Sequence, residues 1–171
     1  MSTQPRLPSA VPDQAPEFAT VLAHAPVIPE TFFDLYGEFW QRGIVDQRTK
    51  EICRMRNARV TDCGFCKRVR FGGARAAGLT EEEVATIEDG YAQRFGARET
   101  AALQLTDHII GMPRDIPSED LRRELQEHFS DPEIVEIALG VGLFMALAKV
   151  LITLGLEPQD MPVTVLPTPG S

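Results

Sequence analysis

The apolar positions of the chain recur at three- and four-residue intervals along most of its length, the period of helices packed through one face. Between 29 and 41, Phe32, Phe33, Leu35, Tyr36, Phe39 and Trp40 fall near this spacing, and Gly43 follows as a stop. Asp46 is placed to cap a second helix running to about Val60, with Ile52 and Met55 on its buried side. Thr61 or Asp62 then opens a third, expected to continue through Ala77, with Gly78 at the left-handed position that ends it. Thr80 and Glu83 form a capping box with acids in the first turn, starting a short helix to about Glu88. Further helices are expected over 97–111, closed before Pro113, and from Ser118 to about Phe129.

The last apolar run is different in kind. Asp131 is a good cap, Pro132 a good first helical residue, and the run that follows reads IVEIALGVGLFMALAKVLITLGL. At about 1.5 Å per residue it nearly reaches across a bilayer. Glu136 and Lys149 interrupt it, however, and no basic cluster or aromatic belt flanks it. A core or subunit-interface helix is the expectation, not a membrane span. Gly140-Val141-Gly142 follows no strand and so makes no nucleotide loop. Residues 1–17, with Pro5, Pro8, Pro12 and Pro16, read as a flexible arm with no fold of its own, and 157–171 as a C-terminal tail. One all-α domain over 18–156 remains.

Composition narrows the function classes. With 43% hydrophobic residues among 171 and only 7% aromatic, the chain suits one packed helical domain. A net charge of −8 opposes binding to nucleic acid or to an anionic membrane surface. No apolar run resembling a signal peptide opens the chain, so a cytoplasmic location is expected. Three cysteines, Cys53, Cys63 and Cys66, do not make a disulfide scaffold. In a reducing compartment a CxxC is catalytic or metal-binding more often than structural.

Cys63-Gly64-Phe65-Cys66 stands at the start of the third expected helix, so the two thiols share a face and lie near disulfide geometry. The helix end, together with Lys67, Arg68 and Arg70, favours thiolate over thiol and suits redox chemistry. Two other readings stand beside that one. The cysteines can pack simply as small apolar side chains, as expected of Cys53. A zinc site is the weaker option, because only Cys53, His24, His108 and His128 remain as soft ligands and none lies at a zinc-finger spacing. No metal and no cofactor are expected. If the second and third helices fold back on each other, Glu51 and Arg70 face one another near Cys66. Glu51 is then either a general base for the thiol or half of an ion pair holding the helices together. His108 and His128 read as surface or partly buried helix residues, Trp40 as core or interface. No phosphate loop, paired-histidine metal motif or serine nucleophile elbow is present.

The spacing of Glu51, eleven residues, Cys63-Gly64-Phe65-Cys66, three residues and Arg70 resembles the alkylhydroperoxidase D-like branch of the carboxymuconolactone decarboxylase superfamily. That branch carries Glu, eleven residues, CxxC, three residues and His. His24-Ala25-Pro26, the 46–59 segment and the stretch from Ala74 to Glu83 are similar to its core, and the likeness covers about 18–156. The resemblance implies an all-α fold in which a helical hairpin carries the CxxC, assembled as a dimer, trimer or hexamer. It implies a thiol peroxidase acting on a small hydroperoxide or disulfide, with Cys66 as nucleophile, Cys63 as resolving thiol, and a lipoylated or thioredoxin-like reductant. Glu and His relay the proton in that family. Arg70 stands here in place of the His and cannot shuttle a proton, although it can stabilise an anion. A protein that keeps the fold but only binds a ligand, with Glu51–Arg70 as a structural pair, is the alternative. Non-redox decarboxylase chemistry does not rest on a CxxC.

Overall fold

The structure is a computed structural model that describes residues 4–88, 90–111, 117–158 and 160–171; residues 1–3 of the arm and Pro113 lie outside the described residues. Its helices are α1 (Phe18–Leu22), α2 (Val27–Arg42), α3 (Gln47–Val60), α4 (Gly64–Arg68), α5 (Gly72–Ala76), α6 (Glu81–Ala85), α7 (Ala97–Ile110), α8 (Glu119–His128) and α9 (Asp131–Leu154). Among the described residues there are also two three-residue strands, β1 (Val69–Phe71) and β2 (Thr164–Leu166), and one 3-10 turn at Tyr91–Gln93. The fold is all-α, as the periodicity predicts.

The centre of the molecule is α3, which packs on α7, α9, α5 and α4. Asp46 caps it through the Thr49 backbone N–H at 2.8 Å. Residues 49–58 are buried without a break, although Lys50, Glu51, Arg54, Arg56 and Asn57 are among them. Each buried charge in that run has a partner: Lys50 pairs with Glu136 at 3.0 Å, Glu51 with Arg54 at 2.7 Å and Arg56 with Asp107 at 2.6 Å. Ile52 and Met55 sit on the apolar side, as expected. Around them Tyr36, Trp40, Phe71 and Phe144 make edge-on and tilted ring contacts, with Trp40 and Phe71 centroids 4.9 Å apart.

The third expected helix is broken. Asp62 takes a left-handed backbone (φ 56°), which Asp tolerates better than most residues, and Cys63 itself caps α4. After one turn the chain extends as β1, then resumes as α5. Val69 and Phe71 are β-branched and aromatic, and Gly72-Gly73 propagates a helix poorly. The partner that makes extension worthwhile comes from the far end of the chain: β2 pairs parallel with β1, Val69 against Thr164 and Phe71 against Leu166.

The C-terminal segment is therefore part of the fold and not a loose tail. Gly73 N–H donates to Thr168 Oγ1 at 2.8 Å, and Gln41 Nε2 donates to the Pro169 carbonyl at 2.8 Å. A Cβ on Gly37 would stand 3.2 Å from Gly170 Cα, so the segment lies directly on α2. The arm is also laid down: Arg6 N–H donates to the Leu154 carbonyl and Ala10 N–H to the Thr20 carbonyl, each at 2.9 Å.

Helix α9 is capped by Ser130 in a capping box with Glu133, one residue earlier than expected. It is long and apolar enough to cross a membrane by length and composition. Ile137, Val141, Phe144, Ala148 and Leu151 face the core, whereas Val135, Leu139 and Val150 are exposed. Its Glu136 accepts from the backbone N–H groups of Ile44 and Val45 at 2.7 and 3.2 Å besides pairing with Lys50. That acid thus has a local reason to sit within an apolar helix.

Candidate active site at the buried thiol pair

Cys63 and Cys66 form a disulfide, with Cα atoms 5.2 Å apart, at the turn between α3 and α4. Cys63 Sγ also accepts from the Cys66 backbone N–H at 3.2 Å, and the Gly64 N–H donates to the Glu157 carboxylate. Both cysteines are buried, Cys63 fully and Cys66 with 7% exposure, beneath Val21 of α1 and Ala148 and Leu151 of α9. Because α4 is a single turn, the helix-end field expected from a long helix is small.

A positive charge bound to the Cys66 carbonyl comes from a residue that the sequence pattern did not single out. Arg54 donates from Nη1 to the Cys66 carbonyl at 3.0 Å and from Nη2 to the Val69 carbonyl at 2.6 Å. Its Nε and Nη2 bind both oxygens of Glu51, each at 2.7 Å, and Phe71 N–H donates to Glu51 at 3.3 Å. Burial opposes the charge of Arg54 more than any other single influence. The Glu51 charge and its hydrogen bonds together outweigh that and hold the guanidinium above its ordinary pKa. Arg54 is a fixed cation beside the thiols.

The Glu51–Arg70 pair expected from the antiparallel hairpin is not formed, because β1 replaces the helix that would have brought Arg70 round to Glu51. Arg70 bonds instead to Glu81 at 3.1 Å and to the Lys67 and Val69 carbonyls at 2.8 and 2.9 Å. It closes the end of α4 and ties it to α6. Lys67 is bound to Asp62, and Arg68 to the Met161 carbonyl. The basic cluster thus braces the α4 segment without reaching the sulfurs. Cys53 packs as a small apolar residue, its thiol pushed up to about 12 by burial. His24 is exposed and bonded to the Pro8 carbonyl, while His108 and His128 are partly buried in α7 and α8. Among the described residues no three of His, Cys, Asp and Glu converge as a metal site.

A cavity of about 30 Å³ opens on Cys66, lined also by Tyr36, Arg54, Asn57, Phe65 and Phe71. Asn57 Oδ1 is buried without a hydrogen-bond partner among the described residues, and burial pushes the Tyr36 hydroxyl up to about 12, so it stays protonated. Phe65 separates this cavity from an outer pocket of about 480 Å³ walled by Pro5, Pro16 and Phe18 of the arm and α1 and by Leu151 and Leu156. Arg54 and Asn57 were findable in principle: from Glu51 they recur at three-residue steps along α3, toward the turn that carries Cys63. Nothing local in the sequence placed Tyr36 or Glu157 here.

The arrangement can cycle two thiols and a disulfide next to a fixed positive charge and a small cavity. The profile of the carboxymuconolactone decarboxylase family matches residues 26–108, which include Glu51, Cys63, Cys66 and Arg70. The chain is similar to the uncharacterized protein YdfG of Bacillus subtilis, 22% identical over 119 residues, covering 69% of this chain and 81% of that one. It is also similar to the uncharacterized protein Rv2313c of Mycobacterium tuberculosis, 32% identical over 114 residues, which are 66% of this chain but 39% of that protein. Among solved structures, ATU0492 of Agrobacterium tumefaciens, described as a protein of unknown function and a candidate antioxidant defence protein AhpD, superposes with a TM-score of 0.69. That match has 20% identity and covers 84% of this chain and 97% of the other, a likeness of fold. Residues 26–108 thus match the carboxymuconolactone decarboxylase family, and the CxxC of Cys63 and Cys66 stands within them.

Proposed function

We propose that the protein is a thiol peroxidase that reduces hydroperoxides through Cys66 and Cys63. The observation that carries this reading is the disulfide itself, buried beside the Arg54 cation and a small cavity that Arg54 and Asn57 help to line. In the reduced protein, Cys66 thiolate attacks the distal oxygen of the hydroperoxide. An S–O bond forms, the O–O bond breaks, and the alkoxide leaves and takes a proton to become the alcohol. Cys63 thiolate then attacks the Cys66 sulfenic sulfur, so that an S–S bond forms and the S–O bond breaks, and the hydroxide leaves as water with one proton. An external dithiol, lipoylated or thioredoxin-like, takes up the oxidation and returns both thiols. A reducing cytosol is where such a donor is at hand.

In this reading Glu51 acts through Arg54, which it neutralises and orients, and Arg70 positions the α4 segment. The outer pocket beyond Phe65 suits an apolar substituent on the peroxide. The exposed Ile28 and Leu35 of α2 and Val135 and Leu139 of α9 support assembly as a homo-oligomer, which would take this apolar surface out of water.

A second reading has one observation in its favour. A groove of about 410 Å³ between α1, α2 and α9, lined by Leu22, Ile28, Phe32, Phe33 and Leu147, is almost wholly apolar and suits a non-catalytic ligand-binding protein. Steady-state consumption of cumene hydroperoxide with dihydrolipoamide separates the two. Turnover by wild type that is lost in Cys66→Ser is the expected result. Equal rates in wild type and Cys66→Ser, or none in either, would leave the ligand-binding reading.

A further inference from the structure

The walls of the cavity beside Cys66 are mostly apolar, and Tyr36, Arg54 and Asn57 are the polar side chains among them. Arg54 carries five N–H donors. Nε binds Glu51, Nη2 binds Glu51, Val69 and the Met55 sulfur, and Nη1 binds the Cys66 carbonyl, which leaves one Nη1–H without a hydrogen-bond acceptor among the described residues. Asn57, 1% exposed, has a side-chain oxygen with no donor. Both residues line the same cavity as the Cys66 side chain. Leaving a buried polar group unmatched is costly, so a free donor and a free acceptor on two residues that line one cavity mark a place for a small polar occupant. At about 30 Å³ the space takes one or two non-hydrogen atoms, a water or the end of a larger molecule.

We infer that Arg54 and Asn57 form the binding site for the peroxy group, holding its two oxygens against Cys66. The inference rests on the peroxidase reading and deepens it. A hydroperoxide group offers one O–H donor and acceptor oxygens, which complements the free groups: the O–H donates to Asn57 Oδ1, and Arg54 Nη1–H donates to a peroxide oxygen. As Cys66 sulfur bonds to the distal oxygen and the O–O bond breaks, negative charge passes to the departing oxygen. Arg54 lies in place to stabilise it without giving up a proton. The alkoxide takes its proton from solvent, because Arg54 stays charged. Arg70, bound to Glu81, takes no part in this contact. When no peroxide is present, water fills the same place.

The test uses reduced full-length protein and two reagents for Cys66. Hydrogen peroxide needs an oxygen site, whereas iodoacetamide needs only an accessible thiolate. Second-order rates for both are read by mass spectrometry, for wild type and for Asn57→Leu, which keeps volume but removes the acceptor. The expected result is a fall of about tenfold or more in the peroxide rate with little change in alkylation. Asn57→Ser, which restores a hydroxyl and room for water, should recover part of the peroxide rate and guards against misfolding of the leucine variant. If Asn57→Leu reacts with peroxide as wild type does, or if both rates fall together and Asn57→Ser recovers neither, the oxygen site is overturned while the peroxidase reading stands. If wild-type Cys66 is alkylated but never oxidised by peroxide, the reading and the site fall together.

Discussion

Glu51 is the residue whose role the structure changes most. Both of its oxygens are bound by Arg54, and one also receives the Phe71 N–H, so it holds a buried cation in position. Taking away one half of such a pair leaves the other charge buried and unpaired, at a cost of about 3–5 kcal/mol. Glu51→Gln is therefore expected to lower the free energy of unfolding by that amount in urea titrations of the oxidised protein. The double variant Glu51→Leu/Arg54→Met should lie much closer to wild type, since it removes both charges. A single-variant loss below about 1 kcal/mol would show that the pair is not the buried unit described. At this scale the sequence was legible in part. The thiol pair, the inert Cys53 and the buried Ile52 and Met55 follow from residue type and spacing. The partner of Glu51 did not, because pairing by distance from a turn assumes two unbroken helices.

At the scale of elements, the caps and helix ends follow the sequence closely where the signal is local. Thr80 and Glu83 make the expected capping box, and Asp46 caps α3. The exception is the stretch after the CxxC, where β1 forms only because β2, over ninety residues later, supplies its hydrogen-bond partner. No window of sequence carries that information. The burial of α3 was equally hidden: its composition is that of a surface helix, and it is buried because every charge along its buried run finds a partner on another element or within its own turn. A further tie, from Arg48 just before that run, fixes α6 to α3. Glu83 binds Arg48 through both oxygens at 2.7 and 3.2 Å, and these bonds, with those from Thr80, hold its carboxyl at about 2, below the ordinary 4.5. A depressed folded-state pKa contributes stability above the unfolded value and loses it as pH falls through the folded one. The Tm of wild type should thus fall between about pH 4.5 and about pH 2 by more than that of Glu83→Gln. Added salt should narrow the difference, since Glu83 is partly exposed. Parallel Tm profiles for the two proteins over that range would remove this tie from the account.

For the molecule as a whole, the two chain ends matter more than their composition suggested. The arm and α1 wall the outer pocket, α1 packs against the thiols, and the C-terminal strand fixes the segment that leaves Cys66. Proline-rich, weakly apolar segments carry no periodic pattern, so their docking is visible only once their partners are in place. The central claim is that Cys66 takes the peroxide oxygen and Cys63 resolves it. It is tested most directly by adding one equivalent of hydroperoxide to the fully reduced protein and mapping the product by peptide mass. The account predicts that wild type loses two hydrogens in a Cys63–Cys66 disulfide. Cys63→Ser should instead gain a single oxygen at Cys66, trapped by dimedone, with Cys53 unmodified throughout. Oxygen appearing first on Cys63 or Cys53, or a reduced protein unchanged by peroxide, would contradict it.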